Sequence, residues 1–142
     1  MVCGPAIGGV ICAQYTALAL GTESVFAERL GCGPETTFEL KRGYSAEIRN
    51  FSVLVVDDVV NTGFSLRLVL DAVRAAGANP IGAATWVNRG NVSANDLGVR
   101  RFVFLDEVVL PAMAPERCSL CVAGIPVDTE YAHGAEFMAM RG

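Results

Sequence analysis

The chain contains one lysine, one histidine and one tryptophan, and only 18% of its 142 residues are charged. Its net charge of −4 argues against a broadly basic surface of the kind that binds nucleic acid. Although 52% of the residues are hydrophobic, no uninterrupted run reaches the ~18 apolar residues that a membrane span needs. Pro5, Gly8 and Gly9 interrupt the apolar N-terminal stretch, and no basic segment precedes it. We therefore expect neither a signal peptide nor contact with a membrane.

The five cysteines cannot all pair within one chain, because five is an odd number. Cys118 and Cys121 form the only C-x-x-C, and a closed zinc site would need two further ligands. The chain offers only His133 as a histidine, and Cys32 lies in a glycine-rich loop where we expect it to be exposed. We interpret Cys118 and Cys121 as a packed or redox-inert turn, with a metal site as the alternative, and the cysteine usage as intracellular.

Residues 53–65 combine an apolar run, two acids, a short polar loop and the start of a helix. Val53–Val56 suit a buried parallel strand, and Asp57 and Asp58 follow it directly. After the loop, an amphipathic helical pattern runs from Leu66 until Gly77 ends it. Ligands of open α/β sheets bind where the strands end, so this run predicts a binding site.

The residue types around this loop fit a phosphate with a sugar beside it. Gly63 lets the backbone approach an anion, to which loop N–H groups and the helix N-terminus can donate. Asp57 and Asp58 would repel phosphate, but they can accept hydrogen bonds from sugar hydroxyls or hold a cation. The parts together describe a ribose 5-phosphate site. The alternative is an ordinary strand–helix turn capped by Ser65.

The run 53–65 resembles the phosphoribosyl pyrophosphate signature of the type I phosphoribosyltransferases. Other stretches resemble the family's pyrophosphate loop, the strand into its mobile catalytic loop, the return of that loop, and a stretch that usually reads Val-Asp-Arg: residues 4–10, 25–29, 41–44 and 86–89. Residues 118–126 resemble the tail of one subgroup. Within the family the chain most resembles the orotate phosphoribosyltransferases, and the matches cover nearly its whole length.

The resemblance and the alternation of apolar runs with helical patterns predict an α/β fold. We expect three layers, with a mostly parallel sheet of about four or five strands flanked by helices. Residues 1–142 would form one domain, with 111–142 an irregular tail packed on it. We also expect a helix over 10–20 that buries Ile11, Tyr15, Leu18 and Ala19, and a hairpin that pairs 37–40 with 45–48.

The resemblance implies a role for each matching residue near the loops. Asp57 and Asp58 would hold the ribose hydroxyls, with Asp58 counted as catalytic, and the 5-phosphate would lie in the loop made by Asn61, Thr62, Gly63, Phe64 and Ser65. The pyrophosphate would lie on Ile7, Gly8 and Gly9, where the family often has a non-proline cis peptide bond. Magnesium, bound mainly through phosphoribosyl pyrophosphate, is the expected cofactor, and we expect no metal site built from protein ligands alone.

Four cations complete the expected site. Arg29 and Lys41 would be catalytic and Arg42 substrate-binding, because the family's mobile loop neutralises the departing pyrophosphate. Lys41 is the only lysine, and Leu30 stands where many bacterial relatives have one. If Lys41 is merely a solvated hairpin residue, Arg29 and Arg42 would take its role. Arg89 would face the orotate ring, unless it only caps a strand end.

The resemblance implies transfer of a phosphoribosyl group from phosphoribosyl pyrophosphate to orotate, by a cytoplasmic homodimer in which each mobile loop completes the neighbouring site. Two features depart from the family: Asn88 replaces the usual Asp, and the chain opens almost on the pyrophosphate loop, without the segment that covers the base. We therefore expect ordinary binding of phosphoribosyl pyrophosphate and weak transfer to orotate. Two alternatives stay open, a purine or uracil phosphoribosyltransferase and a non-catalytic sensor of phosphoribosyl pyrophosphate.

Overall fold

The structure is a computed structural model that describes residues 1–31, 33–110, 113–131 and 134–139. The chain divides into two compact units, residues 1–110 and residues 111–142. Strands and helices alternate along the first unit: β1 (Val2–Pro5), α1 (Gly8–Leu20), β2 (Ser24–Leu30), β3 (Thr37–Glu39), α2 (Tyr44–Glu47), β4 (Ser52–Val60), α3 (Phe64–Ala75), β5 (Asn79–Asn88), α4 (Ala94–Leu97) and β6 (Phe102–Glu107). A 3₁₀ turn, Gly33–Glu35, precedes β3.

Six strands form one sheet in the order β3-β2-β1-β4-β5-β6. Every neighbouring pair is parallel except β2 with β3, which run antiparallel. The mostly parallel α/β fold is therefore confirmed, although the sheet has six strands rather than four or five. The antiparallel edge strand β3 is the one that the sequence assigned to a separate hairpin.

That hairpin prediction is wrong, because β3 pairs with β2 and residues 44–47 form the helix α2. The reason lies in the spacing of two apolar residues, Tyr44 and Ile48, which a helical turn places on the same side. Tyr44 packs edge-on against Phe26 with 5.2 Å between ring centroids, and Ile48 is completely buried in the core. A strand would also place residues 44 and 48 on one face, but about 13 Å apart, whereas a helical turn brings them within about 6 Å.

The strand β4 is longer than its apolar run, because it continues through both acids to Val60. Asp57 lies opposite Thr85 of β5, and Val59 lies opposite Val87. The strand continues because ladder hydrogen bonds come from the backbone and do not require apolar side chains. The acids therefore stand on a strand rather than in a loop.

Each face of the sheet carries one long helix. On one face, Val53 and Val55 of β4 belong to a core cluster that includes Leu66, Val69 and Leu70 of α3. On the other face, Val56 belongs to a cluster formed with α1, whose buried members are Cys12, Ala13 and Ala17. The predicted three-layer arrangement follows directly from this alternation along β4.

The helix α1 buries a different face from the one we predicted. Ile11, Tyr15 and Leu18 are 56%, 67% and 65% exposed, and Ala19 is exposed too. The buried face consists of small residues, which let the helix lie close to the sheet. A Cβ atom at Gly4 of β1 would overlap the carbonyl oxygen of Gly9. Close packing of small side chains, rather than hydrophobicity, selected the inward face.

The second unit contains a 3₁₀ turn, Pro115–Arg117, and two short helices, α5 (Ser119–Val122) and α6 (Gly134–Ala139). These helices replace part of the irregular tail that the sequence predicted, and its packing on the domain stays a prediction. The expectations for Cys32, Pro111 and His133 concern residues outside the described ranges. No helix within those ranges is long and apolar enough to cross a membrane.

Candidate active site

Three loops leave the same edge of the sheet, because β1, β4 and β5 are parallel neighbours that end there. Residues 6–7 join β1 to α1, residues 61–63 join β4 to α3, and the segment after Asn88 joins β5 to α4. The predicted ligand-binding residues of all three loops are thereby brought to one edge. The backbone of Gly90 lies so close to Asn61 that a Cβ atom there would overlap the Asn61 carbonyl oxygen.

The loop after β1 leads directly into the first turn of α1. Its Ala6–Ile7 peptide bond is cis, and the Ala6 N–H donates to the carbonyl oxygen of Ala27 in β2 at 2.8 Å. The helix has no side-chain cap at Ile7 and no acid in its first turn. Its first N–H groups are therefore available to an anion.

The carboxylate of Asp58 lies against this first turn. A Cβ atom at Gly8 would stand 2.5 Å from Asp58 Oδ2 and 2.8 Å from its Cγ, so only glycine fits at this position without moving the acid. The Val59 N–H donates to Asp58 Oδ1 at 2.7 Å, and the Thr85 hydroxyl donates to the Asp58 carbonyl oxygen at 2.9 Å. Asp58 is thus held on β4, between the first turn of α1 and the neighbouring strand β5.

Asp57 and Asp58 point to opposite faces of the sheet, as successive residues of a strand do. Asp57 follows the parity of Val55 and faces the α3 side, where it is only 8% exposed. Its Oδ1 accepts a hydrogen bond from the Asp58 N–H at 3.0 Å. Burial raises the pKa of the Asp57 carboxyl from 3.8 to about 7, with the charge of Asp58 acting in the same direction.

The loop after β4 prepares a second helix N-terminus. Gly63 has a φ of +72°, which favours glycine, and it begins α3 without a side-chain cap or an acid in the first turn. The Thr62 hydroxyl accepts a hydrogen bond from the Phe64 N–H at 3.3 Å. Ser65 does not cap the helix, so the alternative of an ordinary Ser-capped turn does not describe this loop.

Arg89 follows the end of β5, and its N–H donates to the Val60 carbonyl oxygen at 2.7 Å. Its Nε atom is buried and has no hydrogen-bond acceptor among the described residues. Beside it, Asn88 is fully buried and makes two hydrogen bonds with the backbone of Val92, at 2.9 and 3.0 Å. One of these bonds needs the amide N–H₂ as donor, which an ionised aspartate in this place would lack.

Residues 1–110 match the family model of the phosphoribosyl transferase domain. The chain belongs to this family. Among curated relatives of this phosphoribosyl transferase domain, the orotate phosphoribosyltransferase of Pelotomaculum thermopropionicum is 44% identical to this chain over 126 residues. The match covers 89% of this chain and 63% of that protein. The orotate phosphoribosyltransferase of Chlorobaculum parvum is 39% identical over 127 residues, covering 89% and 62%. The chain thus spans somewhat under two thirds of the length of these relatives.

Solved structures agree with the family assignment. The orotate phosphoribosyltransferase of Aeropyrum pernix superimposes with a TM-score of 0.60 at 28% identity, covering 75% of this chain and 59% of that one. A crystal structure of an adenine phosphoribosyltransferase gives a TM-score of 0.62 at 21% identity, covering 73% and 65%. The second likeness shows a shared fold alone, since the two sequences are far apart.

Three of the predicted cations of this phosphoribosyltransferase-family chain lie on β2 or just after β3. Arg29 lies near the carboxyl end of β2, two strands from β4 and so about 10 Å away. Its Nη2 donates to the Thr36 hydroxyl at 3.3 Å. The chain then runs back antiparallel to β2 through β3, and Lys41 and Arg42 follow the end of that strand. Arg42 forms a 2.7 Å ion pair with Glu28, which raises its pKa, and lies over the Phe26 ring.

Sequence reasoning missed two residues that support the acids and the phosphate loop, Thr85 and Arg67. Arg67 Nη1 donates to the Thr62 carbonyl oxygen at 3.0 Å. A helical side chain leans towards the N-terminus, so an arginine four residues after Gly63 could have been placed over this loop from spacing alone. Thr85 carries no such signal, because its role depends on the register between β4 and β5.

No three His, Cys, Asp or Glu side chains lie together as metal ligands within the described ranges. In the second unit, hydrogen bonds from the backbone N–H groups of Cys121 and Leu120 lower the pKa of the Cys118 thiol. Such bonds stabilise a thiolate but do not supply further ligands for a metal. The zinc alternative at this C-x-x-C stays open, because His133 lies outside the described residues.

Proposed function

We propose that this chain transfers a 5-phosphoribosyl group from phosphoribosyl pyrophosphate to orotate, giving orotidine 5'-monophosphate and pyrophosphate for pyrimidine nucleotide synthesis in the cytoplasm. The observation that carries the proposal is the position of the Asp58 side chain against Gly8, at the uncapped N-terminus of α1. The uncapped N-terminus of α3 follows after the loop at 61–63. A ligand with an anion at each end and hydroxyls between them fits this pattern. Phosphoribosyl pyrophosphate is such a ligand.

The 5-phosphate would bind at the start of α3. The Gly63 and Ser65 N–H groups and the partial positive charge of the helix favour an anion there, and no acid lies in the first turn. The hydroxyls of Thr62 and Ser65 can add hydrogen bonds. The ribose hydroxyls would then reach the carboxylates of β4, with Asp58 the more accessible of the two.

The pyrophosphate would bind on Ile7, Gly8 and Gly9 at the start of α1. Since the Asp58 carboxylate lies at this same turn, a diphosphate arriving without a cation would meet a like charge. Magnesium bound mainly through the diphosphate would remove this repulsion, and carboxylate oxygens are the ligands it prefers. This arrangement fits a metal ion that enters with the substrate.

Arg89 would bind the base. A buried guanidinium nitrogen without an acceptor is uncommon in folded proteins, and a planar carboxylate such as that of orotate would supply the acceptor. Asn88 holds the turn that positions Arg89 without adding a charge beside it. The names of the relatives, orotate phosphoribosyltransferases at 39% and 44% identity, support orotate over a purine or uracil.

During transfer, positive charge develops on the ribose carbon as the bond to pyrophosphate breaks, so the carboxylates of β4 would stabilise it. Arg29, Lys41 and Arg42 would neutralise the departing pyrophosphate. As the resemblance to the family's mobile loop implies, we propose that Lys41 and Arg42 act in the site of a second copy. The exposed apolar residues of α1, Ile11, Tyr15 and Leu18, support a homodimer. A monomer in light scattering at micromolar concentration would contradict this part.

A turnover assay tests the function. We expect pyrophosphate release that depends on orotate and is not supported by uracil or hypoxanthine. Asp58→Asn should abolish most of it, whereas Asp71→Asn, an exposed acid paired with Arg74 on α3, should not. Calorimetric binding of phosphoribosyl pyrophosphate with no release from any base would support a sensor instead. Release with uracil or hypoxanthine in place of orotate would overturn the assignment of the base.

A further inference from the structure

Arg67 contacts the loop that we propose for the 5-phosphate through the carbonyl oxygen of Thr62. It stands on α3 four residues after Gly63, and its own N–H donates to the Gly63 carbonyl oxygen at 3.0 Å. Its side chain turns back along the helix, where Nη1 donates to the carbonyl oxygens of Thr62 at 3.0 Å and Asp96 at 3.4 Å. One guanidinium nitrogen thereby joins the loop to the helix α4.

The loop is enclosed on this side. A Cβ atom at Gly63 would stand 2.9 Å from Leu97 Cδ2, 3.2 Å from Arg67 Nη1 and 3.3 Å from Val92 Cγ1. Leu97 and Val92 are buried at 2% and 8% exposure. The backbone at Gly63 is therefore packed between the Arg67 head group and two core side chains, which leaves it little freedom to move.

The helix α4 is itself held firmly enough to receive this contact. Ser93 and Asp96 form a reciprocal capping box, in which Asp96 Oδ2 accepts from the Ser93 N–H at 2.8 Å and from its hydroxyl at 2.6 Å. These hydrogen bonds lower the pKa of Asp96, and the Arg67 charge contributes in the same direction. The Asp96 carboxylate also offsets part of the positive charge of Arg67.

The orientation of the Thr62 carbonyl decides where the loop can donate. In a trans peptide unit the C=O and the following N–H point in opposite directions. With the Thr62 oxygen held towards Arg67 and α4, the Gly63 N–H must point to the opposite side of the loop. If this peptide turned over, a carbonyl oxygen would face the anion and repel it.

We infer that Arg67 is a positioning residue of the phosphate loop, which holds the Thr62 carbonyl towards α4 so that the Gly63 N–H faces the ligand. It acts through the backbone and does not contact the ligand itself. This inference rests on the proposed function for the identity of the ligand, a sugar 5-phosphate. The orientation of the loop is a property of the ligand-free protein and can be measured separately.

The experiment compares Arg67→Met, which keeps most of the stem but removes donors and charge, with Arg67→Lys, which keeps the charge on a different head group. Arg100→Met is the matched control, because Arg100 is exposed near the amino end of β6 and away from this edge. Calorimetry measures the Kd of ribose 5-phosphate and, separately, of pyrophosphate with Mg²⁺. Amide hydrogen exchange at residues 63–65 is measured without ligand.

For Arg67→Met we expect the Kd of ribose 5-phosphate to rise about 10-fold, the effect of about one hydrogen bond from a charged donor. The Kd of magnesium pyrophosphate should stay within about twofold, and amide exchange at 63–65 should become faster. Arg67→Lys should lie between Arg67→Met and the natural protein, because a lysine supplies the charge without the guanidinium geometry. Arg100→Met should match the natural protein in all three measurements.

Three results would overturn the inference: unchanged exchange in Arg67→Met, full recovery of affinity in Arg67→Lys, or equal losses for ribose 5-phosphate and pyrophosphate. Full recovery would show that charge alone matters, and equal losses would show a general disturbance of the fold. If the natural protein fails to bind ribose 5-phosphate at millimolar concentration, the proposed phosphate site is wrong. The exchange measurement then still decides whether Arg67 orders the loop.

Discussion

The two helix N-termini at the carboxyl edge of the sheet have neighbours of opposite charge. The helix α1 begins beside the carboxylate of Asp58, whereas α3 begins beside the guanidinium of Arg67. Both helices lack a side-chain cap and an acid in the first turn, so each is open to an anion. If the proposed function holds, the same backbone arrangement would bind a bare phosphate at α3 and a cation-bound diphosphate at α1.

The acids of β4 extend this comparison, since Asp57 faces the α3 side and Asp58 the α1 side. Burial raises the pKa of the Asp57 carboxyl from its ordinary 3.8 to about 7 in the folded protein. The folded protein therefore binds more protons between these values, and its free energy of unfolding falls as the pH rises through that window. We expect Asp57→Asn to remove this fall and to raise stability above pH 7 by on the order of 4 kcal/mol. Urea unfolding between pH 4 and pH 8 measures it.

The matched variant is Asp58→Asn, which should lower ribose 5-phosphate binding without giving this gain in stability. Asp57→Asn keeps an oxygen that can accept from the Asp58 N–H, so its fold should be unchanged. If the free energy of unfolding of Asp57→Asn falls with rising pH as steeply as that of the natural protein, burial of Asp57 does not cause this fall.

Gly63→Ala tests the α3 side. The positive φ disfavours alanine, and the new methyl group would meet Leu97 and Arg67 at 2.9 and 3.2 Å. We expect a loss of about 3 kcal/mol in the free energy of unfolding from the two effects together. Folded Gly63→Ala should also bind ribose 5-phosphate weakly while keeping its affinity for magnesium pyrophosphate. Equal affinity for ribose 5-phosphate would show that this loop is not the phosphate site.

Gly8→Ala is the corresponding test on the α1 side. The methyl group would displace only the end of the Asp58 side chain, which can rotate away. We expect the melting temperature to change little, but turnover to fall on the order of 10²-fold, because a reacting group is misplaced by about 1 Å. If Gly8→Ala lost as much stability as Gly63→Ala, the Asp58 side chain would not be free to move aside. The two helix N-termini would then be packed equally tightly.

Leu18→Ala tests the outer face of α1 and should have the smallest effect. Leu18 is 65% exposed, so we expect a change within about 0.5 kcal/mol in the free energy of unfolding at low protein concentration. Leu70→Ala on α3, where the side chain is completely buried, is the contrast and should cost about 2–5 kcal/mol. If the Leu18→Ala effect grows with protein concentration, this face takes part in the proposed dimer.

Local patterns predicted much of the fold and the position of the site. The alternation of strands and helices, the end of α1 at Gly21 and the loop between β4 and α3 all follow from short-range periodicity and glycine placement. Predictions failed where packing partners are distant in sequence. The inward face of α1 depends on β1 and β4, and the pairing of residues 37–39 depends on β2.

The same limit applies inside the site. Residues 57–65 place two acids and an anion loop next to each other in the chain, so the sequence alone showed that they form one unit. It could not show that Asp57 is buried and Asp58 accessible, because both are the same residue type on one strand. It also could not show that Arg42 pairs with Glu28.

The sequence by itself determined the order of strands and helices, the family resemblance and the chemistry of the loop at 61–65, because each depends on residues close together in the chain. Only the tertiary structure decided that Asp58 meets Gly8, that Arg67 joins the loop at 61–63 to α4, and that the Arg89 Nε has no acceptor among the described residues. Those contacts join separate strands and helices. They depend on sheet register and on how closely small residues let α1 approach, which no local pattern encodes.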